Sequence, residues 1–135
     1  MLENKVIIVG GGHAGVEAAF AISRLKMSCE IITLDRESLG RLSCNPAIGG
    51  LAKSQLVKEI DAFGGIMGHA SDASAIQFKT LNKTKGRAVW ATRAQVDKKL
   101  YPKYINKLLN SNKYIKVIED EAYDVRVENK QIKGL

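Results

Sequence analysis

Hydrophobic positions change period several times along the chain, and each change marks a predicted element. Lys5 to Val9 (KVIIV) is a short β-branched run of the kind buried on both faces of a parallel sheet. GGGHAG follows at once. VEAAFAISRLK then places Val16, Ala19, Phe20 and Ser23 at helical spacing, with Arg24 and Lys26 at its end. Cys29 to Asp35 (CEIITLD) reads as a second buried strand. Strand, glycine turn, helix and strand within about thirty residues make a βαβ unit, right-handed by the rule for parallel crossovers.

Residues 36–50 keep neither period and read as loop. Leu51, Leu56, Ile60 and Phe63 form an apolar stripe that predicts a helix over 51–63, stopped by Gly64-Gly65. AIQFKTL (75–81) alternates like a half-exposed strand, and NKTKGRA after it is a polar, basic loop. Thr92 and Gln95 fit a capping box, predicting a helix over 93–109 with Pro102 as its weak point. YIKVIE (114–119) and AYDVRVE (122–128) read as strands, with Asn129-Lys130 as a hairpin turn and QIKGL starting a return strand. The expected class is α/β, a Rossmann-like dinucleotide-binding fold whose parallel sheet is incomplete in this chain, so that residues 1–135 read as the N-terminal piece of a longer enzyme. An incomplete sheet implies an unpaired strand edge and exposed apolar surface.

Composition narrows the partners. The 135 residues are 45 % hydrophobic, enough for a core, and no apolar run approaches the ~20 residues of a membrane span. Two cysteines, neither in a disulfide-like spacing, and no signal-like start point to a reducing cytoplasmic location. The net charge of +7 is uneven: residues 41–100 hold ten basic and four acidic side chains, against four and five in residues 1–40. Lys79, Lys83, Lys85, Arg87 and Arg93 occur with no acid between Ala73 and Val96. This stretch is either a solvated face or a surface for a polyanion such as RNA or a phosphorylated cofactor, with Lys83, Lys85 and Arg87 as candidate contacts.

Gly10, Gly12 and Gly15 satisfy G-x-G-x-x-G directly after a strand and before a helix, with Asp35 at the end of the next strand. The first glycine allows the tight turn, the second lets backbone approach a pyrophosphate, and the third lets helix pack on strand. Asp35 is then the candidate acceptor for a ribose hydroxyl. The pattern does not separate FAD from NAD, and an acid rather than a base at position 35 disfavours NADP.

Cys44 lies in SCNPAIGG (43–50), a run of turn formers rather than an apolar element. It could serve as redox cysteine, nucleophile, metal ligand or filler. Cys29 is most simply core, which weakens a redox pair, and His13 and His69 are too few for a zinc site. A thiol in a loop leading to a helix start would be held toward thiolate by the helix dipole and nearby cations.

GGGHAGVEAA, SCNPAIGGLAKSQLVKEIDAFGG, AIQFKTLN and KGRAVWATRAQVDKKLY together resemble the tRNA uridine 5-carboxymethylaminomethyl modification enzyme family, also called glucose-inhibited division protein A, across residues 5–128. The resemblance implies an FAD-binding fold and a flavoenzyme that acts on the wobble uridine of tRNA with a GTPase partner, using NADH and methylenetetrahydrofolate, and forms a homodimer. It implies that Gly10, Gly11, Gly12, His13, Ala14 and Gly15 form the FAD phosphate turn, that Ala122 contacts the adenine side, and that Cys44 is a nucleophile or acid/base at the uracil ring. Gly49-Gly50 would then let backbone approach the flavin ring. Arg41 stands where the family more often has glutamine. A flavin- and folate-dependent tRNA (uracil-5-)methyltransferase shares the glycine start, and a non-catalytic dinucleotide- or RNA-binding module is the remaining class. The 135-residue chain alone is expected to be inactive.

Overall fold

The computed structural model describes residues 5–135. Among these described residues, eight strands and four helices follow in the order β1 (Val6–Val9), α1 (His13–Arg24), β2 (Cys29–Thr33), β3 (Ala47–Gly49), α2 (Lys53–Ala62), α3 (Met67–Ser74), β4 (Ala75–Leu81), β5 (Ala91–Val96), α4 (Leu100–Ser111), β6 (Ile115–Glu119), β7 (Arg126–Glu128) and β8 (Gln131–Gly134). Single 3₁₀ turns cover Arg36–Ser38 and Arg87–Val89.

Three parallel strands in the order β1-β2-β6 form the first sheet, with Val6 opposite Cys29 and Cys29 opposite Ile115. The βαβ unit expected from the sequence is therefore present. The chain then leaves this sheet after β2 and returns only at β6. The excursion builds a second, antiparallel sheet in the order β3-β5-β4. β7 and β8 pair as a separate hairpin, whose turn at Asn129-Lys130 has positive φ at both residues, as a type I′ turn requires.

The core lies between the sheets and helices, with Ile31, Val16, Leu39, Val96, Tyr101, Ile105 and Leu109 almost fully buried. Central strand β2 carries a charge within this layer. Glu30 is buried, and its carboxylate pairs with Lys5 at 2.6 Å and Lys116 at 3.4 Å, one cation at each flanking strand. The Lys5 hydrogen bond, more than any other cause, holds the Glu30 carboxyl below the usual range. Among the described residues β1 is paired on one side only, the open edge expected of an incomplete sheet, and Val9 on one face of the strand is 60 % exposed.

The structure corrects four expectations. Residues 91–96 form strand β5, not the start of a helix, and α4 begins at Leu100. The Thr92–Gln95 capping box is absent because ATRAQV pairs with both β3 and β4 as the central strand of its sheet and buries Ala91, Ala94 and Val96. Asp97 supplies the cap instead: its Oδ1 accepts from the backbone N–H of Lys99 at 2.7 Å and Leu100 at 2.9 Å. The predicted stripe on α2 does not face the core either. Leu51, Leu56 and Phe63 are exposed, whereas Ser54 is buried and Val57 is half-buried. Finally, β3, α3 and the Arg36–Ser38 turn lie where the sequence offered only loop, and the strand expected over 122–128 is reduced to Arg126–Glu128.

Two substitutions check the position of the α4 start. Asp97→Ala is expected to lower the thermal midpoint, while Thr92→Val leaves it unchanged. The two backbone donors hold the Asp97 carboxyl below its ordinary 3.8, so the cap contribution is present above that pH and is lost as pH falls below it. Thermal melts of both variants across that range would show the Asp97 difference shrinking in acid.

Candidate functional site

The glycine turn leaves a helix end open. Gly10 has φ +99° and donates to the Ile32 carbonyl at 2.8 Å, which carries the chain sharply from β1 into α1. A Cβ on Gly15 would collide with the Gly10 carbonyl oxygen, so α1 packs directly on the turn. Around Gly10 and Gly12, by contrast, nothing lies within 4 Å of where a Cβ would point, which leaves that side open to a ligand. Gly12 is the N-cap of α1, no side chain caps it, and the first turn holds no acid. The free N–H groups and the positive end of the helix therefore face open space.

Gly11 has a different reason to be glycine. A Cβ there would run into the Leu39 side chain, and the Gly11 carbonyl accepts from Gly40 N at 2.9 Å. Its part is to seat the loop after β2. Ala14 is exposed on the first turn of α1. Glu17 lies one turn deeper, and its carboxylate is turned away from the glycine turn. It accepts from Ile66 N at 3.0 Å and Met67 N at 2.7 Å, capping α3 from another helix.

An open recess of about 350 Å³ lies at the carboxyl ends of β1 and β2. Gly10, Thr33, Asp120, Glu121 and Ala122 line it, so the structure brings Ala122 together with the glycine turn. Asp35 is not in this recess. It lines a neighbouring groove, and its Oδ1 accepts from Glu37 N at 2.8 Å to cap the 3₁₀ turn. The acids on the recess are Asp120 and Glu121, which sequence reasoning missed. Their signal was their place directly after β6, the third parallel strand.

His13, the first residue of α1, has a buried Nε2 with no hydrogen-bond partner. Its ring lies 5.7 Å from that of Tyr101, whose buried hydroxyl is also unpartnered. Burial, and next the Lys53 ammonium, push the His13 imidazole toward its neutral form. Burial, and next the Glu17 carboxylate, push the Tyr101 phenol far up, so it stays protonated. Both atoms are enclosed by protein and, among the described residues, have no hydrogen-bond partner.

Cys44 occupies an exposed loop between buried Leu42 and strand β3, with Sγ 3.9 Å from the Ser43 hydroxyl. The far side of the loop is fixed by β5. Val96 N donates to Pro46 O at 2.8 Å, and Ala47, Ile48 and Gly49 pair with Gln95, Ala94 and Arg93. Thus the SCNPAIGG block and the RAQ block are neighbours in one sheet. Gly49, at φ +92°, is required because a Cβ would collide with the Thr92 carbonyl oxygen, and Gly50, at φ +120°, turns the chain toward α2. The helix expected from about residue 51 begins at Lys53, with strand β3 lying between it and Cys44 along the chain. Cys29 is buried and points its thiol at the Ala19 carbonyl, 3.8 Å away, as a core residue.

Lys83, Lys85 and Arg87 are all exposed on the β4–β5 connection. Trp90 orders this loop: its Nε1 donates to Lys85 O at 3.1 Å, and the Arg87 guanidinium lies 5.8 Å from its ring centre.

The family described as "Glucose inhibited division protein A" matches residues 5–135. The chain belongs to this family. Its relatives include the tRNA uridine 5-carboxymethylaminomethyl modification enzyme MnmG of Buchnera aphidicola subsp. Cinara cedri, 52 % identical over 130 residues, or 96 % of this chain and 20 % of that protein. The enzyme of the same description from Ureaplasma parvum serovar 3 is 47 % identical over 135 residues, all of this chain and 22 % of that protein. The chain thus spans about a fifth of the length of these curated relatives. Among solved structures, Aquifex aeolicus GidA matches with TM-score 0.91 and 46 % identity, over 95 % of this chain and 21 % of that one. A probable FAD-dependent monooxygenase, PqsL of Pseudomonas aeruginosa, shares the fold at TM-score 0.62 and 10 % identity, over 96 % of this chain and 37 % of that one. The fold is accordingly a partial FAD-binding Rossmann-like fold.

The His13 environment sets a pH dependence. Its imidazole protonates below the ordinary 6.5 in the folded state, so the unfolded chain takes up a proton that the folded chain refuses. Stability is held above 6.5 and lost as pH falls from there toward the lowered value. Melts of His13→Gln between about pH 7 and about pH 5 are expected to lose less than those of the parent chain.

Proposed function

We propose that this chain is the FAD-binding part of an enzyme that modifies tRNA at C5 of the wobble uridine, adding the carboxymethylaminomethyl group. The observation that carries this reading is the uncapped α1 N-terminus, open at Gly10 and Gly12, in a chain that matches the family over residues 5–135. The name of the relatives supplies the substrate and the product. Gly10, Gly12 and the first turn of α1 would hold the FAD pyrophosphate, with Gly11, Ala14 and Gly15 shaping the turn and His13 beside it. Ala122 and the recess at the strand ends would take the adenosine end, with Asp120 and Glu121 there as hydroxyl acceptors, and Asp35 would act from the neighbouring groove. When bound, the flavin supplies the redox capacity that none of these side chains has.

Cys44 would meet the uridine as a nucleophile or an acid/base at the uracil ring; what supports this is an exposed thiol in a loop held at its two ends by buried Leu42 and hydrogen-bonded β3. Lys83, Lys85 and Arg87, ordered by Trp90, are proposed to contact tRNA phosphates. NADH, methylenetetrahydrofolate, a GTPase partner, a homodimer and a cytoplasmic setting belong to the same reading. No helix among the described residues is long and apolar enough to cross a membrane.

In the full gene product, Gly12→Leu is expected to abolish the visible flavin band. Cys44→Ser should retain that band and lose the modified nucleoside in digested tRNA analysed by mass spectrometry. Modification by the Cys44→Ser protein at the parent rate would remove Cys44 from the chemistry. A modified base in the T loop instead of the wobble position would favour the methyltransferase reading.

A further inference from the structure

The second half of the chain carries a charge pattern that the nucleotide fold does not use. Residues 98–118 contain six lysines and no aspartate or glutamate. Helix α4 divides this segment sharply. Tyr101, Ile105 and Leu109 are buried against the core, while Lys99, Lys103 and Lys107 stand four residues apart and exposed. At the rise of an α-helix they span about 12 Å along one shallow spiral. Among the described residues only Lys116 of the six has a salt-bridge partner, Glu30.

The stripe is continuous with the candidate site. Lys98, Lys99 and Lys103 line one side of an open groove of about 810 Å³, and Arg41 lines the other, three residues before Cys44. The acids there are Asp35 and Glu37, and Asp35 is already engaged by the Glu37 N–H. Arg36 also lines the groove, with its guanidinium spent on the Val117 carbonyl. Lys103 then joins this groove to a second recess of about 340 Å³ that Lys107 lines with Leu100 and Tyr104. A row of lysines without interleaved acids is ill-suited to apolar packing and well suited to a strand of phosphates.

We propose that the Lys99–Lys103–Lys107 face of α4 and the Arg41 groove form a track for the tRNA backbone, leading toward the Cys44 loop. The proposal rests on the tRNA-modifying reading above. It is distinct from the Lys83–Lys85–Arg87 loop, which lies on the β4–β5 connection.

The test is tRNA binding by the full gene product as a function of salt, for the parent and for the triple variant Lys99→Gln, Lys103→Gln, Lys107→Gln. Each phosphate that is no longer neutralised lowers the slope of log affinity against log salt by about 0.7–0.9, so the variant should bind more weakly and with a slope smaller by about 2–3. The matching triple lysine-to-arginine variant should keep both the affinity and the slope, and the flavin band should be the same in all three proteins. If the triple glutamine variant does not fold, Lys103→Gln with Lys107→Gln should still lower the slope by about 1.5. Unchanged affinity and slope in a flavin-retaining variant would overturn the track and leave the functional reading intact. Weaker binding with an unmoved slope would also overturn it. A parent protein that does not bind tRNA at all would overturn both.

Discussion

The carboxylate of Glu17 is the joint on which the two sheets depend. α3 begins at Met67 with no side-chain cap of its own, so its first N–H groups need an acceptor. Glu17, on α1, provides it through Ile66 N and Met67 N. A Cβ on Gly65 would press on both the Ile60 side chain and the Glu17 carboxylate, so the α2–α3 turn is shaped around this contact. One acid therefore adds a polar tie between α1 and the antiparallel unit to the apolar core that both share. It also shows how a negative charge sits within the second turn of a helix whose N-terminus is uncapped. The charge is consumed by a different helix end.

Placement of the cysteine loop follows from that joint. The loop leaves the core at Leu42 and rejoins it at β3, where Gly49 allows an approach to the Thr92 carbonyl that no side chain would permit. Beyond Gly50 the chain enters α2, and Lys53 at its start lies near enough to His13 to disfavour a second positive charge there. The stretch from Cys44 to Lys53 thus runs from an exposed thiol back to the glycine turn. Loops that carry chemistry gain precision when a rigid scaffold holds both ends, and here one end is core and the other is sheet.

Local periodicity revealed the parallel layer because its strands are short β-branched runs and its turn is a glycine motif with one geometric solution. The antiparallel layer was hidden for equally physical reasons. ATRAQV carries helix formers and a capping-box pattern, but pairing with β3 and β4 overrides that propensity. β3 is three residues long, too short for any period to show. α3 is polar enough, with Ser71 and Ser74 buried and bonded back to Met67 and Ala70 carbonyls, to read as loop. At the site, the spacing rule picked out Asp35, whereas the acids on the recess follow β6, far along the chain. Cys44 was legible from its neighbours, but its distance from the α2 N-terminus was set by a strand that the sequence did not show.

The exposed surfaces differ in what they demand of their surroundings. Val9 on the open edge of β1, Leu56 and Phe63 on α2, and Ile76 and Phe78 on edge strand β4 are apolar side chains facing solvent. Each such patch is stabilised by removal from water, and the open edge of β1 also has backbone groups to pair. The outer face of α4 has the opposite requirement. Covering its lysines with apolar protein would strand several positive charges without partners, at a cost of several kcal/mol for each ion so buried. The same fold thus separates faces that favour more polypeptide from a face that favours anions and water. Arg41 carries the second kind of surface to within three residues of Cys44, so the charge of the groove and the exposed thiol belong to one stretch of chain.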